Sequence, residues 1–265
     1  TIYISEYNTH VIRRISNGIV SVVAGTEFVT RATDGAGTAA SFDHPYGITL
    51  LSNGNLVIAD EWNSKLRMMT PAGIVTTLAG TGMPGSADGA AASASFNYPA
   101  AVTADTLGNI FVADALNSTI RKFNTLNGQV STYAGTAGLT GATDGVGAAA
   151  RFNRPTGVTY NPARRNIYVA DNSNHIIRNI TLLSTTSLTL AVSGSGAICI
   201  GTRATFTVSP SGLNGYTLIE NGITVGTSAN GTITINSLTA GTHTLSAVAY
   251  DAIGATATSN TINVT

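Results

Sequence analysis

The chain offers almost no sulfur chemistry. One cysteine, Cys199, stands among 265 residues, so neither an intrachain disulfide framework nor a cysteine-based metal cluster can form; a single free thiol reads as a small buried hydrophobe. Charge is also scarce. Only 10% of residues are charged, the two signs balance at 13 each, and the lysines are Lys65 and Lys122 alone. Holding a phosphate backbone or an anionic membrane surface takes a basic excess or stripe, so neither nucleic acid nor membrane insertion is expected, and RNA binding is set aside on the same ground. No apolar run reaches the roughly 18 residues of a membrane span, and no signal-peptide pattern is present. G-x-S-x-G, H-E-x-x-H, phosphate-loop and EF-hand patterns are missing too. The opening "TIYIS" has no initiator Met and reads as a piece of a longer polypeptide.

What the sequence does have is repetition, which is sought before any local structure because a missed repeat misassigns the whole fold. The pattern [IL]-[YFV]-[IV]-[AS]-[DE] starts at Ile2, Leu56, Ile110 and Ile167. "AGT" starts at Ala24, Ala79 and Ala134, and "DG" at Asp34, Asp88 and Asp144. Each "DG" leads through Ala, Gly and Ser into "SFDHP", "SFNYP" or "RFNRP". Three markers thus keep one period. Within it, short β-branched runs alternate with turn residues, as in "YGITLL", "NGN", "LVIAD", "EWNS", "KLRMMT", "PAG" and "IVTTLAG". Four antiparallel strands per repeat make a β-propeller blade, a radial solution to exposed sheet edges. In the linkers, Phe42, Phe96 and Phe152 read as wedges between blades; Pro45, Pro99 and Pro155 open the inner strands, and the Asp of each "DG" reads as the cap of a short helical turn.

A charged pair recurs with the repeat. Glu6, Asp60, Asp114 and Asp171 end the second strand, and Arg13, Arg67, Arg121 and Arg178 follow seven residues later on the returning strand. Asn63, Asn117 and Asn174 lie in the turn between, with Thr9 in that place in the first repeat. These residues are expected to be structural, the carboxylate taking turn N–H groups and the arginine reaching it. The histidines are His10, His44, His175 and His243; His10 and His175 are equivalent and expected to stand apart. That is too few for a zinc held by three converging ligands, and each "DG" supplies one carboxylate where calcium wants six to eight oxygens. No metal, cofactor or catalytic residue is expected. Asn117, Asn179 and Asn230 head N-x-[ST] triplets, and Thr106 sits in an Asp-Thr-Leu tripeptide, a candidate O-glycosylation site.

The stretch "FNRPTGVTYNPARRNIYVADNSNHIIRNI" resembles an NHL repeat, and the likeness extends over residues 1–183. It implies an NHL-type propeller, in this family commonly six-bladed. Only two full blades are present here: the first lacks its inner strand and the last its outer one. Missing N-terminal blades of the same polypeptide are therefore the expected partners, closing the ring and supplying the last blade's fourth strand.

From residue 184 to 265 the period stops. That region holds three charged residues, Arg203, Glu220 and Asp251, and 18 threonines among 82 positions. Seven alternating runs predict a seven-stranded β-sandwich, with Asn221-Gly222 as a hairpin turn. "LTAGTHTLSAVAYD" resembles bacterial Ig-like and PKD-like modules, with His243 where tyrosine is usual. Such Thr- and Asn-rich modules resemble those of large surface proteins of Bacteroidota, many tied to gliding motility and type 9 secretion. The fold expected is thus all-β, a partial propeller followed by an Ig-like sandwich. The function expected is non-enzymatic: an extracellular or cell-surface adhesion module for a protein or glycan ligand, handled by export machinery. The alternative is a lyase or hydrolase with its site at the propeller mouth, completed by the missing blades.

Overall fold

The computed structural model of the protein describes residues 1–182 and, beyond them, eight strands between Thr189 and Val264. The chain divides into two compact units, Thr1–Leu182 and Leu183–Thr265. All of the sheets in both are antiparallel.

In the first unit the repeats fold as successive sheets. The first has three strands, Ile2–Glu6, Val11–Ser16 and Ile19–Ala24. The second runs Pro45–Leu50, Leu56–Asp60, Lys65–Met69 and Ile74–Ala79, and the third Pro99–Ala104, Ile110–Asp114, Thr119–Asn124 and Gln129–Ala134. The fourth keeps Pro155–Asn161, Asn166–Asp171 and Ile176–Thr181. Four strands per blade is an undercount for the second and third sheets. The "DG" linkers add a two-residue strand to each outer edge, Gly35–Ala36 beside Ile74–Val75 and Gly89–Ala90 beside Gln129–Val130, so the linker covers an edge that would otherwise be free to pair.

Between sheets lies the core. Phe96 packs with Val57, Ala59 and Leu66 of the second sheet and with Val102, Ile110 and Val112 of the third, all buried. Phe42 does the same between Ile12 and Ala24 of the first sheet and Ile58, Met69 and Val75 of the second. Two glycines show how tight this seam is. A Cβ on Gly47 would stand 2.5 Å from Ala101 Cα, so the inner strands of neighbouring sheets approach backbone to backbone. Gly80, of the second "AGT", has φ +105°, and its Cβ would meet Ser64 O at 2.8 Å and Phe96 Cδ2 at 3.2 Å; only glycine fits there without strain.

The linker aspartates do not cap helices. The turns at Gly37–Ala39 and Gly147–Ala149 are 3₁₀ segments without a side-chain cap, and Asp34 turns instead to Arg67 and Thr77.

The second unit has a three-stranded sheet, Thr189–Ser193, Ala204–Ser209 and Thr232–Ile235. Its five-stranded sheet joins Gly215–Glu220, Ile223–Ser228, His243–Tyr250, Thr256–Thr258 and Ile262–Val264. Phe206 and Ile233 are buried on the first of these, and Tyr216, Leu218, Leu245 and Ala247 on the second, where they alternate with less buried residues as half-buried strands do. His243 is buried and pairs through Nδ1 with Glu220. The predicted turn at Asn221-Gly222 lies outside the described residues. Among the described residues no helix is long and apolar enough to cross a membrane.

Candidate functional site

The recurrent Asp and Arg form a clasp at the end of each seam. Arg67 Nη1 donates to Asp60 Oδ2 at 2.7 Å and to Ser41 O, while Nη2 donates to Asp34 Oδ1 at 2.7 Å and to Thr33 O. Arg121 repeats this with Asp114, Ser95 O, Asp88 and Ala87 O, and Arg178 with Asp171, Arg151 O, Asp144 and Thr143 O. The guanidinium also lies over the wedge phenylalanine, 5.4, 5.3 and 5.1 Å from the centroids of Phe42, Phe96 and Phe152. Asn63, Asn117 and Asn174 each donate to the same carboxylate and to a linker carbonyl, Arg31, Gly85 and Gly141 respectively. In the first repeat Arg13 meets Glu6 and Glu27, and Thr9 donates to Glu6. Spacing within a repeat pointed to the Asp–Arg pair; the second carboxylate comes from the linker 33 or 34 residues upstream and was missed.

Burial sets the protonation of this clasp. Asp114 is pushed up to about 6 by burial, against the pull of Arg121, the Asn97 N–H and the Asn117 amide; burial raises Asp60 too. For the more exposed Asp34, burial is outweighed by the Thr77 N–H and Arg67, which hold it below the ordinary value. Because Asp114 in the folded protein lies above its unfolded value of about 3.9, folding favours its protonated form. Its contribution to stability is fully present below about pH 4 and is lost as pH rises through about 6; Asp34 runs in the opposite sense. A ¹³C carboxyl titration of Asp114 is expected to show a midpoint near 6, and a midpoint below about 4 contradicts this reading.

The glycosylation candidates divide. Asn117 is buried, and its amide nitrogen, the atom a glycan would need, is committed to Gly85 O and Asp114. Asn179 is exposed on the strand Ile176–Thr181, and Thr106 is exposed at a turn tip. Asn230 lies outside the described residues.

The chemistry gathers where hairpin turns meet the linkers that open the inner strands. Trp62 N donates to Asp43 O, Leu116 N to Asn97 O and Ser173 N to Asn153 O, zipping the two loops together in each repeat. His44, Tyr98 and Arg154 occupy equivalent positions before the prolines with φ of 53°, 54° and 52°, a left-handed backbone that non-glycine residues seldom adopt. On this framework aromatic rings from successive repeats touch. His44 stacks on Trp62 with centroids 4.4 Å apart, and Tyr7 and His10 meet His44 edge-on at 4.6 and 4.5 Å. Tyr46 adjoins Tyr7 at 5.6 Å and Tyr98 adjoins Trp62 at 5.7 Å. Trp62 Nε1 donates to Tyr7 Oη at 3.0 Å. Trp62, the chain's sole tryptophan, is 49% exposed and Tyr46 is 47% exposed.

Polar groups stand among these rings. His44 Nδ1 lies 2.6 Å from Asp43 Oδ1, and His10 Nδ1 accepts the His44 N–H at 3.0 Å. Burial, then the His44 charge, lowers the His10 pKa against the pull of Asp43. Glu61 is nearly buried with Oε2 unpartnered. Burial raises its pKa, against a Tyr7 hydrogen bond and the charges of Arg154 and His44. His10 and His44 therefore meet, which spacing within one repeat did not reveal, whereas His175 is exposed at its own turn. A separate cleft of about 440 Å³ opens at the opposite turns, lined in part by Asn53, Thr106 and Phe123. Its one carboxylate, Asp105, is occupied by Leu107 N and Asn109, so the aromatic cluster is the better candidate.

Comparison with known proteins agrees with the geometry. The NHL repeat family matches residues 152–178. Protein SUPPRESSOR OF QUENCHING 1, chloroplastic, of Arabidopsis thaliana is 35% identical over 99 residues, 37% of this chain and 9% of that protein. NHL repeat-containing protein 2 of Bos taurus is 35% identical over 102 residues, 36% of this chain and 14% of that protein. The matched segments are thus less than a sixth of those relatives' length. Among solved structures, a structural-genomics protein of unknown function from Bacteroides thetaiotaomicron aligns with TM-score 0.56 and 24% identity, over 68% of this chain and 44% of that one. An auxiliary nutrient binding protein from the same organism aligns with TM-score 0.54 and 19% identity, over 67% and 44%. The chain carries an NHL repeat, and its first unit has the fold of β-propeller blades.

Proposed function

We propose that the first unit is a non-enzymatic binding module whose aromatic cluster takes a glycan, within a larger extracellular protein in which the second unit is an Ig-like spacer. One observation carries this reading: a continuous array of rings across the first, second and third repeats runs from half-exposed Tyr46 through Tyr7, His44 and half-exposed Trp62 to Tyr98. Amphipathic rings of this kind give a rigid apolar face beside polar groups. A neutral pyranose matches that mixture, its C–H face on a half-exposed ring and its hydroxyls on polar groups at the edge of the array. The balanced charge of the chain gives a polyanion no comparable hold. One structural neighbour is an auxiliary nutrient binding protein, in keeping with a ligand-carrying face. Further blades of the same polypeptide would cover the outermost sheets, where Ile2 and Ile177 are exposed.

The test is a glycan screen with the full chain, followed by the Trp62→Ala variant. Affinity is expected to fall about tenfold or more, as when an aromatic anchor is truncated. Unchanged affinity in the variant, or no glycan bound, sinks the proposal. The raised pKa of Glu61 favours a second reading, a lyase or hydrolase at the same cluster, and steady cleavage of the bound glycan would decide for it.

A further inference from the structure

We propose that His10, Asp43 and His44 form a site for a zinc-class divalent ion at the seam between the first and second sheets. The donor atoms of the three residues all lie within 4.8 Å of one another. Two imidazoles and one carboxylate make the mixed nitrogen and oxygen set that suits zinc, nickel or copper and not the all-oxygen shells of calcium or magnesium.

The distances support this assignment. Tetrahedral zinc bonds of about 2.0–2.2 Å set donor atoms roughly 3.4 Å apart. The two resolved separations bracket that value, 2.6 Å from His44 Nδ1 to Asp43 Oδ1 and 3.9 Å from His10 Nδ1 to the same oxygen. Adjustments of about 1 Å therefore convert the hydrogen-bonded cluster into a ligand set. Loading replaces two internal hydrogen bonds, His44 Nδ1 to Asp43 and His44 N–H to His10 Nδ1. Three protein ligands leave a fourth position for water or a ligand group.

The surroundings add an independent argument. The three side chains are only 9–23% exposed, so they are already partly desolvated. The nearly buried Glu61 carboxyl, with Oε2 unpartnered, bonds to Tyr7, whose ring meets His44 edge-on, so a carboxyl without a full set of partners lies beside the cluster. The ligands come from two segments, the first sheet's hairpin turn and the linker into the second sheet. Metal would therefore staple one repeat to the next through His44, which the aromatic array shares.

Trp62, stacked on His44, makes the site readable. The chelator-stripped full chain is titrated with zinc chloride by calorimetry and tryptophan fluorescence, with calcium and magnesium chlorides as controls. The expected result is one saturable equivalent of zinc and a shift in Trp62 emission. At saturating zinc the unfolding midpoint should rise by about 4 °C or more, and the control ions should produce no response. His10→Gln and Asp43→Asn should each weaken zinc at least tenfold. Absence of saturable binding, or equal affinity in the His10→Gln/His44→Gln double variant, overturns the proposal. Should those variants fail to fold, zinc-edge X-ray absorption on the unaltered chain decides: two imidazoles in the shell support the site, and one or none contradicts it.

Discussion

Arg121→Met is expected to destabilise the first unit by about 3–5 kcal/mol, the cost of breaking a buried ion pair from one side. Arg121 is wholly buried, with Asp114 at 2.8 Å and Asp88 at 2.7 Å, and its guanidinium also donates to Ser95 O and Ala87 O. Removal leaves the fully buried Asp114 with the Asn97 N–H and the Asn117 amide alone, and it strips donors from two linker carbonyls. Arg121 Nε has no partner, a cost that the Phe96 ring helps to offset. Arg121→Lys should recover little, because an ammonium cannot span both carboxylates as the planar fork does. Arg178→Met should cost less: Arg178 is 10% exposed and its outer partner Asp144 is 94% exposed, where pairing is worth little. Denaturant unfolding followed by Trp62 fluorescence reports the first unit alone. A loss below about 1 kcal/mol at Arg121, or equal losses at Arg121 and Arg178, contradicts the clasp as described.

Phe96→Ala is the other large effect, about 3–5 kcal/mol as for buried phenylalanine generally. The ring has no solvent exposure and touches side chains of both neighbouring sheets, so its loss opens a cavity at a seam with little freedom to close. Backbone already meets backbone at Gly47 and Ala101, and Gly80 lies against the ring itself. Truncation also uncovers one side of Arg121. The two substitutions should therefore be non-additive, with a coupling of about 0.5–3 kcal/mol. Phe96→Leu should retain part of the loss. The same unfolding measurement checks both, and strict additivity would mean that wedge and clasp are independent.

Repetition made much of this fold readable. Hairpins, the Asp–Arg spacing and the wedge phenylalanines all recur at equivalent places, so chance similarity is averaged out and local pattern suffices. Contacts between non-equivalent residues of successive repeats were not readable. Asp34 looked like a cap because its partner Arg67 stands 33 residues away, and the covering strand Gly35–Ala36 is too short to show a period. His10 sits in a hairpin turn and His44 before a proline, positions that carry no common spacing, yet the seam brings their rings to 4.5 Å. Trp62 stood in an ordinary-looking turn, "EWNS"; nothing local distinguishes a half-exposed platform from a buried plug. One signal was available: the chain's only tryptophan falls at the repeat position held by Asn8, Leu116 and Ser173 in the other copies, and a departure from the repeat pattern marks a position that the blade itself does not require.

That residue also supplies the most direct test of the binding face. With a single tryptophan in the chain, titration of the intact, chelator-treated protein with soluble oligosaccharides while recording intrinsic fluorescence reads the face that carries Trp62. The expected result is a saturable change in Trp62 emission that follows the same binding curve as calorimetry and is weakened by Tyr46→Ala. Calorimetric binding with Trp62 emission unmoved would place the ligand elsewhere and contradict it.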